Sequence, residues 1–505
     1  MSESAGKKDE NSYRSILKGT SAFGGVQIFQ ILVNAVRGKF VAVFLGPDGV
    51  GVSTLFATAS STIQQFASLG LNLAIVKEIA ASRDNAEALQ RALGIGRRLI
   101  YATAFLGALV CILFASPLSR LTFGSERETL WFVALSAAVF MAIAGSGEMS
   151  LLQGMHAVKR LSFSSLVGAI AGLVFGVPLY WLFGVSGIVP AMIVLSFTTW
   201  MFYLFSVRRT IRIDGRSLLG WSESLPLVRK LLGLGFVLMG AALLGTLTTY
   251  FVATYLRSVD SVTTVGLYQA ANSITNQYIG MVIAAMGIDY FPRLAAVATD
   301  NEKVQEVVNR QTHIITLLAT PILILVMISA PVIIRVLFTS AFEPVVDVVR
   351  WMAFGVFFRV LLFPLGYIFY AKDNKRLYFI LEGIVGNVIT FTLSVVFFHF
   401  FGLTGLGMAV GVDCSLAVVI YLVICRRLYS IGYSRRSWLG VGYATLCAGG
   451  AFICSFISVA WISYASMSLM FLVAGAVGFF GLRKLVRSDR KLERPSVDSQ
   501  MVAGK

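Results

Sequence analysis

The sequence predicts an all-α integral membrane protein with fourteen transmembrane helices, arranged as two pseudo-symmetric six-helix lobes followed by two C-terminal helices. The 505 residues are 57% hydrophobic and 13% charged, with a mean hydropathy of +0.80, whereas soluble proteins are about 45 to 50% apolar and about 25% charged. Long apolar stretches recur along the chain, and the basic residues fall mainly on alternate loops. The composition excludes a soluble globular protein.

The fourteen helices are predicted from length and hydropathy, because a membrane-crossing helix needs about 20 predominantly apolar residues. The joints at 183–186 and 401–404 are so short that the helices flanking each one must be antiparallel neighbours. We number the stretches as spans 1 to 14, at 18–45, 49–75, 98–116, 129–150, 162–183, 186–206, 231–256, 262–291, 312–336, 345–370, 377–401, 404–425, 437–461 and 463–482.

The basic residues predict the orientation of these spans, because loops on the cytoplasmic side of a membrane carry an excess of Lys and Arg. Of the 42 basic residues, 34 fall on the termini and on the loops of one side, 4 on the opposite loops and 4 within spans. Both termini are therefore predicted to be cytoplasmic. The net charge of +17 is explained by topology and membrane lipid, so no nucleic-acid partner is predicted.

An internal repeat predicts the two lobes. The segment at 183–188 recurs at 401–406, that at 159–163 recurs at 375–379, and Val50-Gly51 recurs as Val265-Gly266. Because six spans separate the copies, both halves enter the membrane from the same face, and they enclose a central cavity typical of a transporter. The predicted domains are an N-terminal lobe (1–206), a cytoplasmic linker (207–230), a C-terminal lobe (231–425), spans 13 and 14 (426–482) and a basic cytoplasmic tail (483–505).

Polar residues at helical spacing follow one face of spans 1, 2 and 8. Such residues are unfavourable in a bilayer unless they face protein or water, so they predict an aqueous cavity lined by these spans. The alternative is that they form hydrogen bonds between helices. The predicted substrate-binding amides on these faces are Gln30, Asn34, Gln64, Gln269, Asn272 and Asn276.

Two arginines within spans are candidate substrate ligands. Arg37 lies in the outer third of span 1 and Arg359 near the middle of span 10, and a guanidinium suits phosphate or diphosphate. The alternative for both is pairing with a carboxylate. Arg350 lies nine residues before Arg359, on the opposite helix face, and Asp347 offers Arg350 a local partner.

The acidic residues within spans are candidates for coupling or for salt bridges. They can neutralise arginines, relay protons or bind a cation, and structural pairing is the simplest interpretation. They are Glu148, Asp289, Glu382 and Asp413. No metal-spaced His/Cys cluster, Walker A motif or GxSxG motif is present, so the sequence predicts no metal, no cofactor and no enzymatic activity.

The segment 15–52, with Arg37-x-Lys39 followed by Leu45–Gly51, resembles the first helix and turn of bacterial O-antigen translocases, the Wzx-type flippases. The Lys159-Arg160 loop, echoed at Lys375-Arg376, is also similar. The wider resemblance is to the multidrug/oligosaccharidyl-lipid/polysaccharide exporter superfamily.

This resemblance implies a V-shaped transporter of the bacterial inner membrane. It would move an undecaprenyl-diphosphate-linked oligosaccharide, an O-antigen or related surface polysaccharide unit, to the periplasmic leaflet, with polysaccharide polymerase machinery as a partner. Arg37 matches the arginine of the motif, whereas Arg359 is nominated from its position.

Two other functions remain as alternatives. A cation-coupled multidrug exporter of the same fold would be expected to carry an acid deep in span 1 or 2, where this chain carries Arg37 and Lys39. An integral-membrane glycosyltransferase or polymerase needs a large extramembrane catalytic loop or an acidic metal-binding cluster, and the outer loops contain neither. The predicted function is therefore alternating-access transport of an anionic, lipid-linked glycan.

Overall fold

The structure, a computed structural model, describes residues 2–211 and 221–492. Within these ranges it describes the side chains of residues 29–211, 224–236, 239–275, 280 and 290–483. All regular elements in the two ranges are helical, and the ranges contain no β-strand. The prediction of an all-α fold is confirmed for this part of the chain.

Within these ranges we label the α-helices α1 to α15 in chain order, with short 3-10 helices at Gly184–Gly187 and Ser340–Phe342 and a π-helical turn at Phe379–Val385. The helices are α1 Ser2–Ala67, α2 Leu71–Ala81, α3 Ala86–Leu113, α4 Ala115–Phe123, α5 Thr129–Gly154, α6 Val158–Phe183, α7 Ile188–Thr210, α8 Trp221–Val259, α9 Val262–Ala296, α10 Asn301–Leu337, α11 Val345–Ala371, α12 Lys375–Tyr378, α13 Gly386–Tyr429, α14 Arg435–Cys454 and α15 Ala460–Leu492.

Three glycines of positive φ bend the longest helical runs where the sequence predicts a change of direction. Gly46 in α1 has φ 64°, and Gly184 after α6 and Gly402 in α13 each have φ 58°. Glycine adopts this conformation without steric cost because it lacks a Cβ. The glycines separate spans 1 and 2, 5 and 6, and 11 and 12.

The length of one apolar run shows why a bend such as that at Gly184 is needed. The continuous apolar run Val158–Thr210 contains 53 residues and would be about 80 Å long as a straight helix, against a hydrocarbon core of about 30 Å. In the described residues, 10 helical segments are long and apolar enough to cross a membrane. The chain is therefore a multi-pass membrane protein, and the count of fourteen crossings stays a prediction.

The first compact unit comprises Met1–Ala270, Ile334–Glu343 and Phe379–Val395. In it, α6 and α7 pack side by side, with the hydroxyls of Ser164 and Ser206 2.6 Å apart near one end. Near the other end, Gly176 faces Ala191. Because residues early in α6 meet residues late in α7, the two helices are antiparallel, as the short joint predicts.

The second compact unit comprises Ala271–Ile333, Pro344–Tyr378 and Val396–Lys505. Here α11 and α13 approach closely, since a Cβ built on Gly355 would lie 2.7 Å from the Cα of Gly411. A separate apolar core joins α10, α14 and α15 in the same unit. Its buried residues are Ile324, Cys447, Ala451, Met467 and Ala474.

Span 2 was predicted as one helix over 49–75, and this boundary is wrong. The helix ends at Ala67 and a new one begins at Leu71, with Leu69 (φ 48°) and Gly70 (φ 65°) in left-handed conformations between them. The backbone of α8 passes at this point, because a Cβ on Gly70 would lie 2.1 Å from the carbonyl oxygen of Gly235. A contact with a distant segment therefore breaks an otherwise continuous apolar pattern.

Two further boundaries differ from the prediction. The charged connection before span 3 is largely helical, because α3 begins at Ala86, where the Asn85 side chain accepts hydrogen bonds from the amides of Glu87 and Ala88. Such capping satisfies backbone donors at a helix start. Span 13 was extended to residue 461, but α14 ends at Cys454.

Candidate functional site

Arg37, the first candidate ligand, lies on α1 with its side chain half-buried. Its positive charge acts on the phenol of Tyr180, a buried residue of α6. No carboxylate among the described side chains forms an ion pair with Arg37. Within the described part of the chain, the interpretation of Arg37 as a salt-bridge partner therefore has no support.

The two amides preceding Arg37 on α1 differ in their surroundings. The Gln30 amide nitrogen donates a hydrogen bond to the hydroxyl of Ser165 on α6, so it joins two helices of the first unit. Asn34 is exposed. Gln30 fits the alternative of bonding between helices, whereas Asn34 is the more accessible amide.

The polar face predicted for span 2 is largely packed. Ser60 and Ser68 are buried, with 3% and 8% of their surface exposed. The Gln64 amide donates to the Ser60 hydroxyl at 2.8 Å, and the Asn72 amide donates to the Ser146 hydroxyl at 3.3 Å. Hydrogen bonding within and between helices thus accounts for most of this face.

The corresponding face of span 8 lies on α9. Gln269 and Asn272 are both half-buried. The side chain of Asn276 lies outside the described residues. The role of these amides in a cavity stays a prediction.

The two arginines of α11 differ in exposure. Arg359 is exposed. Arg350 is only 12% exposed and donates to the carboxylate of Asp347 at 3.2 Å and to the backbone carbonyl of Ser455 at 3.2 Å. The predicted local pair between Arg350 and Asp347 is confirmed.

The four acids predicted within spans fall in different environments. Glu148 on α5 is fully buried and pairs with Arg97 of α3. Glu382 in the π-helical turn is exposed and Asp413 on α13 is half-buried. The side chain of Asp289 lies outside the described residues.

Structural pairing was the simplest interpretation of Glu148, but its partner was not predicted, because Arg97 was assigned to a cytoplasmic loop. The Arg97 Nε donates to Glu148 Oε1 at 3.0 Å, and the Tyr101 hydroxyl donates to the same oxygen at 2.8 Å. Trp200 of α7 donates from Nε1 to the Tyr101 oxygen at 3.4 Å. The available signal was the i, i+4 spacing of Arg97 and Tyr101, which places both on one helix face.

A close backbone crossing joins the turn before span 2 to the start of span 8. A Cβ on Gly51 would lie 2.0 Å from the carbonyl oxygen of Val262, and a Cβ on Gly266 would lie 2.0 Å from that of Pro47. Gly51 and Gly266 are equivalent in the repeat, as are Pro47 and Val262, at an offset of 215. The contact is therefore reciprocal, as at a two-fold axis.

Polar contacts surround this crossing. The Thr263 hydroxyl donates to the carboxylate of Asp48, and these two residues are also equivalent in the repeat. Nearby along α1, the Lys39 ammonium donates to the carbonyl oxygens of Phe338 and, at 3.2 Å, Arg335. These carbonyls lie at the C-terminal end of α10, where the partial negative charge of a helix favours a cation.

In the described residues, no group of three or more His, Cys, Asp and Glu side chains is placed to hold a metal ion.

Comparison with known proteins gives a consistent picture. The model of a family described as polysaccharide biosynthesis protein matches residues 40–347. The lipid III flippase of Escherichia coli (strain K12) is 25% identical over 395 residues, which cover 76% of this chain and 91% of the relative. A putative O-antigen transporter of Shigella flexneri is 21% identical over 386 residues, covering 71% and 89%.

Solved structures share the fold. The lipid II flippase MurJ, in an inward closed conformation, superposes with a TM-score of 0.68 at 14% identity, covering 93% of this chain and 100% of that one. An inward-facing multidrug resistance transporter of the MATE family, within the MOP superfamily, also gives 0.68, at 17% identity and with 79% and 94% coverage. The predicted family resemblance is confirmed by the family model and by the two sequence relatives, and the solved structures confirm the fold.

Proposed function

Because the chain belongs to the polysaccharide biosynthesis protein family, we propose that it is an inner-membrane flippase for an undecaprenyl-diphosphate-linked oligosaccharide. It carries an O-antigen or related surface polysaccharide unit from the cytoplasmic to the periplasmic leaflet. The observation that carries this proposal is the alignment with the lipid III flippase over 91% of that protein's length. The proposal includes fourteen spans, both termini in the cytoplasm, and the lobes 1–206 and 231–425.

Arg37 is the proposed ligand of the diphosphate. A buried arginine normally has a charged partner, and the half-buried Arg37 has no carboxylate partner among the described side chains. Its planar group can donate two parallel hydrogen bonds to phosphate oxygens. Arg350 provides the contrast, because its Nη1 already binds the Asp347 carboxylate and the Ser455 carbonyl.

Arg359 and the amides complete the proposed substrate site. Exposure of Arg359 and Asn34 supports their access to a ligand, Arg359 for phosphate and Asn34 for glycan hydroxyls. Gln30 and Gln64 would first have to exchange their present bonds to Ser165 and Ser60. Gln269, Asn272 and Asn276 are proposed from their repeat position.

Alternating access requires a closure that can open on the periplasmic side, and the crossing at Gly51 and Gly266 is the proposed closure. By the charge distribution its residues lie on the side opposite the cytoplasm. The reciprocal contact joins equivalent residues of the two copies of the repeat. Asp48–Thr263 and the Lys39 bonds to α10 hold the same end, and all of them must separate when that side opens.

The test is reconstitution of the purified full-length protein in lipid vesicles that contain a lipid-linked oligosaccharide. We expect transfer of the glycan between leaflets, measured by its accessibility to a glycan-modifying enzyme outside the vesicles. Empty vesicles and vesicles with Arg37→Ala protein are the controls. Efflux of cationic drugs without any glycan transfer would instead establish the multidrug exporter, and polymer formation would establish a polymerase.

A further inference from the structure

Glu148 lies inside the first unit, where its carboxyl group accepts hydrogen bonds from a neighbouring helix. The residue is 0% exposed. Its Oε1 accepts hydrogen bonds from Arg97 Nε at 3.0 Å and from the Tyr101 hydroxyl at 2.8 Å. Both donors belong to α3, and Trp200 of α7 donates to Tyr101 in turn.

The second carboxyl oxygen, Oε2, is buried and has no hydrogen-bond partner among the described residues. An ionised carboxylate is an acceptor at both oxygens, and leaving a buried charged acceptor without a donor costs more than the roughly 1 to 3 kcal/mol of a neutral group. A proton on Oε2 removes the charge. Protonation therefore relieves a cost that the ionised carboxylate carries at Oε2, in opposition to the attraction of Arg97 at Oε1.

The surrounding charges determine how such a proton is accommodated. The groups that act on Glu148 are Arg97 and Tyr101 of α3 and, from α7, Arg208. These arginines oppose the binding of a metal cation at Oε2 by charge repulsion. A proton is smaller and is held covalently, so it is the cation that this site can accept.

The partly exposed Arg97 side chain connects the buried Glu148 carboxyl group to solvent. This side chain is 26% exposed, whereas Glu148 is 0% exposed. When Glu148 is neutral, Arg97 loses its anionic partner and its guanidinium can turn to solvent. The ion pair that joins α3 to α5 at this point is then lost.

We propose that Glu148 is a proton-binding site, and that its protonation releases Arg97 and loosens α3 from α5. The step is a single transfer: a proton from cytoplasmic water binds a carboxyl oxygen, no other bond changes, and the cluster gains one positive charge. Proton binding stands independently of what the protein transports. Its use to drive transport rests on the proposed flippase function.

Infrared difference spectroscopy on the purified protein tests proton binding. Between acidic and neutral pH, the wild type should show the carbonyl stretch of a protonated carboxyl group in a dry site. Glu148→Gln should lose this band, while Glu87→Gln should keep it. Glu87 is the matched control because it also pairs with an arginine, Arg91, but is 72% exposed.

If Glu148→Gln fails to fold, the variant Arg97→Gln provides a second test of the same proton site. Without its cation the carboxyl group should remain protonated to higher pH, so the band should persist where the wild type has lost it. A band unchanged in both variants, or no band in the wild type, overturns the proposal and leaves an ordinary salt bridge.

The second measurement separates this proposal from the proposed function. In vesicles that flip lipid-linked glycan, an imposed pH gradient should change the wild-type rate, and Glu148→Gln should lose that response. A response retained in Glu148→Gln overturns the coupling role. If the wild type flips no glycan at all but the infrared band depends on Glu148, the flippase function fails and the proton site stands.

Discussion

The two copies of the repeat agree in their backbone contacts and differ in their charges. Gly51 approaches the carbonyl oxygen of Val262, which lies four residues before Gly266. Gly266 approaches that of Pro47, which lies four residues before Gly51. By contrast, the first copy contains Arg37 without a described acidic partner and the buried pair Arg97–Glu148, whereas the second contains Arg350 paired locally with Asp347. The two copies therefore share a backbone contact, and the charges that they do not share are the ones for which we propose functional roles.

The largest expected difference between the two copies is in the effects of substituting Arg37 and Arg350. Arg37→Ala should abolish surface glycan at normal protein level, because a hydrogen bond to a charged group contributes about 1.5 to 3 kcal/mol, or roughly 10- to 150-fold in binding. Arg350→Ala should lower the yield of folded protein and leave transport per folded molecule unchanged. Glycan display and protein level are measured together in a complementation assay. Full complementation by Arg37→Ala removes Arg37 from the mechanism.

A cross-link at the reciprocal contact tests whether it opens. With the native cysteines replaced, Asp48→Cys and Thr263→Cys should form a disulfide, because the two side chains are hydrogen-bonded, and oxidation should stop transport until reductant is added. The single variants are the controls. Undiminished transport by fully cross-linked protein would show that this contact does not separate. The cysteines to be replaced are Cys111, Cys414, Cys425, Cys447 and Cys454.

The glycines of the crossing should be equally intolerant of a side chain. Gly51→Ala and Gly266→Ala each place a Cβ 2.0 Å from a backbone carbonyl oxygen, so each should destabilise the protein by about 1 to 3 kcal/mol. Gly38→Ala is the matched control, because nothing lies within 4 Å of its added Cβ. Thermal unfolding in detergent gives the comparison. Equal midpoints for all three variants would contradict the close approach.

The smallest expected difference concerns solvent access along the polar faces. Cysteines at Asn34, Gln64 and Asn272 should react with a membrane-impermeant thiol reagent in the cysteine-free background. Cysteines at Ser60 and Ser68 should react several-fold more slowly, because these positions are buried. The rates follow from timed labelling of intact cells. Uniform protection at all five positions would argue against an aqueous cavity.

Local signals in the sequence predicted much of the fold. Hydropathy located the helices, and Gly46, Gly184 and Gly402 lie where the spans were divided. The Arg350–Asp347 pair was predictable because residues three apart share a helix face. These features depend on neighbours in sequence.

The failures depend on distant residues. The break at Leu69 and Gly70 arises where Gly235 of α8 approaches, and no local pattern marks it. Arg97 was assigned to a loop by its charge, although it lies on α3 and binds Glu148 from another helix. Asn34 is exposed whereas Ser60 is buried, although both belong to polar faces with helical spacing. The spacing alone therefore did not predict which polar residues are accessible.

The pair formed by Asp48 and Thr263 shows what is gained when two equivalent positions carry different residues. At a two-fold axis of identical subunits this position would face its own copy, so an aspartate would oppose an aspartate and repel it. Joining both copies in one polypeptide lets the two positions differ, and a carboxylate can accept a hydrogen bond from a hydroxyl. A single polypeptide thus allows a carboxylate–hydroxyl hydrogen bond, which needs two different side chains, at the centre of a pseudo-symmetric contact.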